Sequence, residues 1–526
     1  MKSNRFKYLP LMLLMAVVNL SCDSLLDVPP QGKLSKEEFW LSKDQAAAAV
    51  AGIYNYLGNT NYNFKTGGSM SNLGISPVES YIFWGEIRGE LLGSNLGRMP
   101  AAMVEKEKMD ALNVSPADIT TSYTQFYKII NLANLAIKYL PEVKKNDPAF
   151  TAEMETNLIG EAYFLRAYAY FWLVRAFKEV PLVLVPSETD DQDYDVPKSS
   201  ADALYAQIVS DLNMALPKLP DWYVNQQYAH CRATKNAARV VLADVCLTMA
   251  SLPLLGTDNN ALYEEAVSQC DSIIDSRRYS LVPGISLASI FTNGATDESI
   301  LEVYGNSLNN KQVNNLNAWT LSSGYFVATN AADQLFLKIP MADYRSSVPP
   351  AGPYPAKGTA VSYNASSKYI AKYISGTRDA RWIFYRYPEV LLLKAEALAH
   401  RYKNDPDKLT EACDLVNQVR FRAYGVNDYP KATATSTYEM DNILLDERGR
   451  EFFGEGKRWF ELVRFASRED FIYKELLVDR IVQSYGGVDQ LVMAPRVNNP
   501  DSWYLPLNSD VLDASGGNLI QNPYYQ

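Results

Sequence analysis

The stretch PEVLLLKAEALAHRY (388–402), followed by KLTEACDLVNQVRFRAYG (408–425), decides the fold of this chain. In both segments apolar residues recur every three or four positions, which is the spacing of an α-helix with one buried face. Only a short turn separates the two segments. This arrangement predicts an antiparallel helical hairpin.

An earlier pair of segments has the same layout. TKNAARVVLADVCLTMASL (234–252) precedes NALYEEAVSQCDSIIDSRRY (260–279), and in both pairs an apolar helix with a central alanine is followed by a helix containing Glu-Ala. Weak self-similarity of this kind is typical of tetratricopeptide-like repeats, in which helical hairpins stack around a shared core.

Four more helical segments come first along the chain, and we count them as two further hairpins without fixing how they pair. They are 39–57, 121–141, 153–177 and 200–220. The sequence therefore predicts an all-α fold, a tetratricopeptide-like scaffold of about four helical hairpins. Long irregular insertions with minor β structure are expected to interrupt it.

The predicted body is a single domain with two long insertions. Segments this long between elements of a compact domain usually carry binding function or a small subdomain of their own. The predicted boundaries are a domain over 35–526, hairpins within 35–278 and 386–468, insertions at 59–115 and 280–380, and an irregular C-terminal tail over 469–526.

The beginning of the chain has the layout of an export signal. A basic region with Lys2, Arg5 and Lys7 precedes the apolar run 9–18, which is too short to span a bilayer. The tripeptide that ends at Cys22 resembles the bacterial lipobox, in which the signal is cut before a cysteine that then receives lipid. Two or more acyl chains would hold the protein firmly to a membrane.

These features predict a signal peptide over 1–21 and a lipidated tether over 22–34, with Cys22 as the lipid attachment site. The alternative is an ordinary signal peptide in which Cys22 occurs by chance. In both cases the mature body is expected outside the cytoplasm.

Composition excludes several classes of function. The formal net charge is -10, so the chain is not suited to hold nucleic acid by charge. The chain has only two histidines, and its cysteines form no CxxC pair, so we expect no metal site and no cofactor. The cysteines beyond the signal, Cys231, Cys246, Cys270 and Cys413, are interpreted as small buried residues, with one disulfide as the alternative.

The block LLDERGREFFGEGKRWFELVRF (444–465) interleaves acidic and basic residues. Helical spacing suggests the pairs Asp446–Arg450, Lys457–Glu461 and Glu461–Arg464. Paired carboxylates stay ionised and make poor general acids, so we interpret the block as a structural ion-pair network. No catalytic motif occurs in a suitable context, and no catalytic residue is predicted.

Several blocks resemble, in collinear order, the SusD/RagB family of outer-membrane nutrient-binding lipoproteins. They are CDSLLDVPPQGKLSKEEFW (22–40), EAYFLRAYAYFWLVRAFKEVPLV (161–183), the hairpin over 388–425, the charged block over 444–465, and WYLPLNSDVLDASGGNLIQNPYY (503–525). The resemblance implies a non-catalytic lipoprotein on the outer membrane, facing outward. It also implies a TonB-dependent transporter (SusC-like) as partner and a glycan, or a peptide, as ligand.

Both insertions contain aromatic residues beside hydrogen-bonding groups, a combination that can recognise sugar rings. The predicted ligand-binding residues are Tyr81, Trp84, Arg88, Trp319, Tyr325 and Asn330. The alternative is that these rings only pin the insertions to the helices. Two other functions remain open at this point: a secreted carbohydrate-active enzyme, and a structural helical-repeat adaptor without a small ligand.

Overall fold

The computed structural model describes a set of ranges that together make up most of the chain. They are residues 39–58, 77–94, 112–189, 192, 195–225, 228–303, 326–338, 341–346, 363–364, 369–370, 372 and 381–526. The predicted signal peptide and tether, including Cys22, lie outside the described residues, and so do Trp319 and Tyr325. The predictions made for these residues remain predictions.

The described helices are numbered here in chain order. They are α1 (Lys43–Gly58), α2 (Pro77–Gly85), α3 (Thr124–Asn146), α4 (Ala152–Phe177), α5 (Ala201–Ala215), α6 (Lys235–Ser251), α7 (Asn259–Asp275), α8 (Leu287–Thr292), α9 (Asn330–Leu337), α10 (Tyr387–Arg401), α11 (Pro406–Tyr424), α12 (Thr437–Glu451), α13 (Arg458–Ala466), α14 (Arg468–Phe471), α15 (Glu475–Ser484), α16 (Val488–Val497) and α17 (Ser509–Ala514).

Local signals in the sequence explain where several of these helices begin and end. The side chains of Thr151, Ser200 and Thr234 each accept a hydrogen bond from a backbone N–H in the first turn of α4, α5 and α6. Such caps satisfy N–H groups that have no partner within the helix. Gly425 follows the last residue of α11, and its φ of 62° lies in the left-handed region that glycine adopts readily.

Eight helices form one continuous array. Helix α1 packs on α3, α4 on α5, α6 on α7 and α10 on α11, and each of these hairpins also packs on the next one along the chain. The prediction of an all-α, tetratricopeptide-like scaffold of about four hairpins is therefore confirmed. Helices α12 and α13 follow the array, and α12 packs against both α10 and α11.

The strands are short and form two-stranded antiparallel pairs. They are β1 (Leu92–Ser94), β2 (Val180–Pro181), β3 (Lys198–Ser199), β4 (Ser299–Glu302), β5 (Phe326–Ala328), β6 (Tyr363–Asn364), β7 (Tyr369–Ile370) and β8 (Ile383–Arg386).

One of these pairs joins the two insertions. Strand β1, from the first insertion, pairs with β5, from the second, and Leu92 lies opposite Ala328. A separate pair, β4 with β8, connects the start of the second insertion to the strand that leads into α10. The insertions are therefore tied to each other and to the array.

The C-terminal tail is more ordered than the sequence suggested. Within 469–526 the structure contains α15, α16 and α17, whereas the pattern predicted an irregular segment. The tail also packs against the array, because Trp503 is buried and the Leu505 N–H donates to the Ala176 carbonyl at 2.7 Å. Its short helices follow from this packing, which a local pattern does not reveal.

The four described cysteines are free thiols, so the alternative of a disulfide among them is not seen. Cys246, Cys270 and Cys413 are buried, and Cys231 is half-buried. Among the described residues no helix combines the length and apolarity needed to cross a membrane, and no cluster of three or more potential metal ligands is found.

Candidate ligand-binding groove

The charged block after α11 forms a buried ion-pair network, as the sequence indicated, but with partners from other elements. Glu461 accepts a hydrogen bond from Arg448 Nε at 2.8 Å, and Lys457 pairs with Glu389. Arg464 binds Asp244 at 2.6 Å. The pairs expected from helical spacing are therefore replaced by a contact between α12 and α13 and by contacts that link this block to α6 and α10 of the helical array.

Two carboxylates of this network, Glu455 and Glu447, are held ionised. Burial alone would raise the pKa of Glu455, but the charges of Arg386 and Lys372 lower that pKa to about 2. The pKa of Glu447 is also held well below its ordinary value, because burial is outweighed by Arg450, Arg345 and Arg420. Such groups stabilise neighbouring arginines and do not release protons to a substrate near neutral pH.

Three of the predicted ligand-binding residues lie in the core. Tyr81, Trp84 and Arg88 are 1%, 0% and 1% exposed. The Trp84 Nε1–H donates to the Thr120 carbonyl at 2.7 Å, and Arg88 Nη2 donates to the Ser502 carbonyl at 2.9 Å. A ring without accessible surface cannot stack on a sugar, so this geometry supports the alternative interpretation, in which these side chains pin the first insertion.

The segment that carries these three residues is locked to the loop after α12. A Cβ on Gly85 would lie only 1.9 Å from the Gly456 carbonyl oxygen, so only glycine allows the two backbones to approach this closely. Glu86 accepts hydrogen bonds from the backbone N–H of Gly454 and Gly456, at 2.8 and 2.9 Å. Burial raises the pKa of Glu86 to about 7 despite these two bonds.

An open groove of about 510 Å³ lies where the paired insertions meet the helical body. Helix α9 forms one wall and packs against α12 and α15. We call this surface the insertion groove. It is lined by Glu90, Leu91, Asn330, Ala331, Gln334, Leu335, Leu337, Lys338, Asp446, Arg458, Arg480 and Gln483.

The insertion groove contains one of the predicted ligand-binding residues, Asn330, at the start of α9. Asn330, Gln334 and Gln483 are exposed amides, and Lys338 is an exposed cation at the end of α9. Sequence reasoning missed the other three side chains. Helical spacing could have found two of them, because Asn330, Gln334 and Lys338 are four residues apart on one face of a helix.

Two cations share one carboxylate at the edge of the groove. Lys338 Nζ donates to Asp446 Oδ2, and Arg480 Nη2 lies 3.3 Å from Asp446 Oδ1. Arg480 Nη2 also donates to the Asn442 side chain at 3.0 Å. Burial would raise the pKa of Asp446, but the charges of Arg480, Arg450 and Lys338 lower it.

The other charged pair in the groove lining, Arg458 and Glu90, is paired internally. Arg458 Nε donates to both carboxylate oxygens of Glu90, at 3.1 and 3.0 Å, and Arg458 Nη1 donates to the Leu445 carbonyl at 2.6 Å. Both side chains are buried. This pair therefore forms a neutral floor for the groove.

A second groove, of about 720 Å³, lies between α3, the segment after β2 and the C-terminal tail. We call it the tail groove. Its walls are largely aliphatic, and Leu184 and Val185 leave 39% and 65% of their surface exposed. Tyr123 is buried, and its hydroxyl has no hydrogen-bond partner among the described residues. Amides such as Asn131 and Asn518 contribute to the lining.

A repeat scaffold of helical hairpins, whose insertions shape an open groove, is typical of helical-repeat binding proteins. Comparison with known families is consistent with this class. A model described as "SusD family" matches residues 313–525, and one described as "Starch-binding associating with outer membrane" matches residues 71–247. The chain belongs to the SusD/RagB family, and the resemblance found in its sequence is confirmed.

Individual relatives agree with this assignment over nearly the whole chain. SusD-like protein P38 of Formosa agariphila is 27% identical over 84% of this chain and 88% of its own length. SusD-like protein P2 of the same organism is 24% identical and covers 99% of this chain and 100% of its own length.

Solved structures share the fold. A SusD superfamily protein from Bacteroides fragilis superposes with a TM-score of 0.69 at 19% identity, covering 93% of this chain and 100% of its own. One from Parabacteroides distasonis gives a TM-score of 0.68 at 22% identity, with 94% and 100% covered.

Proposed function

We propose that this protein is a non-catalytic glycan-binding lipoprotein of the outer membrane and that the insertion groove holds the sugar. The observation that carries the proposal is the presence of three exposed amides, Asn330, Gln334 and Gln483, around one open groove. Each amide both donates and accepts hydrogen bonds, as a sugar hydroxyl does. The volume of the groove lies in the range of small-ligand sites.

The family description supports the choice of ligand class. One matching family model is described as starch-binding and as associating with the outer membrane. Trp319 and Tyr325, which precede α9 in the chain, remain predicted ligand contacts that could supply aromatic faces for sugar rings. A peptide is the alternative ligand, because the same amides can bind peptide groups.

We further propose that Cys22 carries the lipid anchor, that the body faces the exterior, and that the ligand passes to a TonB-dependent outer-membrane transporter of the SusC-like type. The lipobox-like sequence and the outer-membrane description of the family support this assignment. A Cys22→Ser variant should leave the membrane fraction on cell fractionation. Retention of that variant in the outer membrane would overturn the anchor.

Isothermal titration of the purified full chain against oligosaccharides, starch fragments included, and against oligopeptides tests the function. For a glycan that binds, truncation of Asn330, Gln334 and Gln483 to alanine together should weaken affinity by at least about tenfold, since each loses a hydrogen bond worth roughly 1 kcal/mol. Asn518→Ala, an amide of the tail groove, is the matched control.

Four other outcomes would redirect the assignment. Unchanged affinity in the triple variant would exclude the insertion groove as the site. Loss of affinity in Asn518→Ala would assign the ligand to the tail groove. Chromatographic detection of ligand cleavage that a single carboxylate substitution abolishes would indicate a carbohydrate-active enzyme, and absence of binding to every ligand would favour a structural adaptor.

A further inference from the structure

The charges of the insertion groove point to a narrower ligand class. We propose that the Lys338–Arg480 edge recognises an acidic sugar, one that carries a carboxylate or a sulfate group. This inference rests on the proposed function, because it assumes that the insertion groove is the glycan site.

The first argument is the local excess of positive charge. The lining contains three cations, Lys338, Arg458 and Arg480, and two acids, Glu90 and Asp446. Arg458 and Glu90 neutralise each other at the buried floor. At the open edge, Lys338 and Arg480 share the single carboxylate of Asp446, and one positive charge is left without a counter-charge within the groove lining.

The second argument is accessibility. The Lys338 side chain is 62% exposed and that of Arg480 is 20% exposed, whereas Asp446 is only 10% exposed. A ligand in the groove therefore meets the two cations before it meets the carboxylate between them. Arg480 Nε is buried and has no hydrogen-bond partner among the described residues, so the protein compensates this guanidinium incompletely.

The third argument is that the positive edge of the groove differs in charge from the molecule as a whole. The chain carries a formal net charge of -10, which repels anionic ligands at long range. Charge-assisted hydrogen bonds from lysine and arginine to a carboxylate or sulfate are roughly twice as strong as neutral ones. A positive edge next to three neutral amides could therefore select acidic sugars, with the amides contacting their hydroxyl groups.

The test compares ligands that share a skeleton and differ in charge. Oligogalacturonate and its fully methyl-esterified form isolate the carboxylate, and κ-carrageenan oligosaccharides and their desulfated form isolate the sulfate. At low salt we expect at least one acidic member to bind about tenfold more tightly than its neutral partner. That preference should shrink as ionic strength rises, because exposed charges are screened.

Substitutions test whether the preference for acidic ligands arises from Lys338 and Arg480. Lys338→Gln and Arg480→Gln should each reduce affinity for the acidic member several-fold more than they reduce affinity for the neutral member. Lys138→Gln is the matched control, since Lys138 is an exposed lysine, also paired with one carboxylate, and lies outside the groove lining. Thermal unfolding of each variant checks that the fold is retained.

The outcomes separate the inference from the function on which it rests. Equal or tighter binding of the neutral members, or an acidic preference that survives both substitutions, overturns the inference and leaves glycan binding intact. Failure of every glycan, neutral or acidic, to bind the wild-type chain overturns the proposed function itself.

Discussion

The guanidinium of Arg88 lies 4.3 Å from the centre of the Trp459 ring and, unlike the other buried arginines of this core, has no carboxylate partner among the described residues. Its Nη2 donates to the Ser502 carbonyl, and its Nε and Nη1 find no acceptor in the part of the chain that the structure describes. Desolvation lowers the pKa of Arg88 to about 10. A buried cation in this state is costly, and the stacking on Trp459 offsets only part of that cost.

Replacing Arg88 by methionine should therefore leave the free energy of unfolding unchanged or increase it, by up to about 2 kcal/mol, because apolar packing replaces an uncompensated charge. Arg448→Met is the contrasting variant, since Arg448 pairs with both Glu389 and Glu461. Its loss should destabilise the chain by about 3–5 kcal/mol. Urea unfolding measures the free energy of unfolding of both variants. If Arg88→Met lowered the free energy of unfolding more than Arg448→Met does, Arg88 would not be an uncompensated charge.

The charged network around Glu447 provides the second prediction. Glu447 pairs with Arg345 at 2.7 Å, with Arg420 at 2.9 Å and with Arg450 at 2.8 Å, and all four side chains are buried. Glu447→Gln removes the charge that these three guanidiniums share.

We expect Glu447→Gln to lower the free energy of unfolding by about 3–5 kcal/mol, because it leaves buried positive charge uncompensated. Glu142→Gln is the matched control. Glu142 pairs with Lys145 on an exposed face of α3, so its substitution should change stability by less than about 0.5 kcal/mol. Equal effects of the two substitutions in urea unfolding would show that the buried network does not stabilise the fold.

The helical array was predictable because its signals are local. The two repeated pairs, 234–279 and 388–425, show helical spacing within single segments, and the hairpins follow from the short turns between them. The β1–β5 pairing was not predictable, because it joins residues more than 200 positions apart, Leu92 and Ala328, through strands of three residues each.

The candidate site was predictable only in part. The long insertions indicated where binding residues should occur, and Asn330 does line an open groove. Aromatic residues beside charged ones gave a misleading signal at Tyr81 and Trp84, because a sugar-binding surface and a core that pins an insertion have the same composition. Arg480 was missed because it reaches the groove from α15, which lies in the C-terminal tail that the sequence pattern predicted to be irregular.

The buried Glu86 carboxyl gives a prediction for pH. Burial raises its pKa from 4.5 to about 7 in the folded protein, so between these values the folded chain keeps a proton that the unfolded chain releases. Stability from this group is therefore fully present below about pH 4.5 and is lost as the pH rises through 7.

Glu86→Gln should remove this dependence. The free energy of unfolding of the wild type, relative to that of the variant, is expected to fall by about 3 kcal/mol between pH 4.5 and pH 8. This figure follows because each unit of pKa difference corresponds to roughly 1.36 kcal/mol. Urea unfolding of both proteins across this range measures the difference, in which the other titrating groups cancel. A difference that stays constant with pH would show that folding does not raise the pKa of Glu86.

The last prediction concerns the contact that holds the first insertion against the body. At Gly85 an added Cβ would meet the Gly456 carbonyl oxygen at 1.9 Å, and neither backbone can move freely, because Glu86 binds the N–H of Gly454 and Gly456. Gly85→Ala should therefore lower the free energy of unfolding by at least about 2 kcal/mol, the scale of overpacking in a core.

Gly52→Ala is the matched control, because Gly52 lies within α1 and a Cβ there meets no atom of the described residues within 4 Å. Alanine at this helical position should stabilise the chain by about 0.5–1 kcal/mol, since glycine loses more conformational freedom on helix formation. The two substitutions add the same methyl group and are expected to act in opposite directions. Destabilisation by both, or by neither, would contradict the close packing of the insertion on the loop after α12.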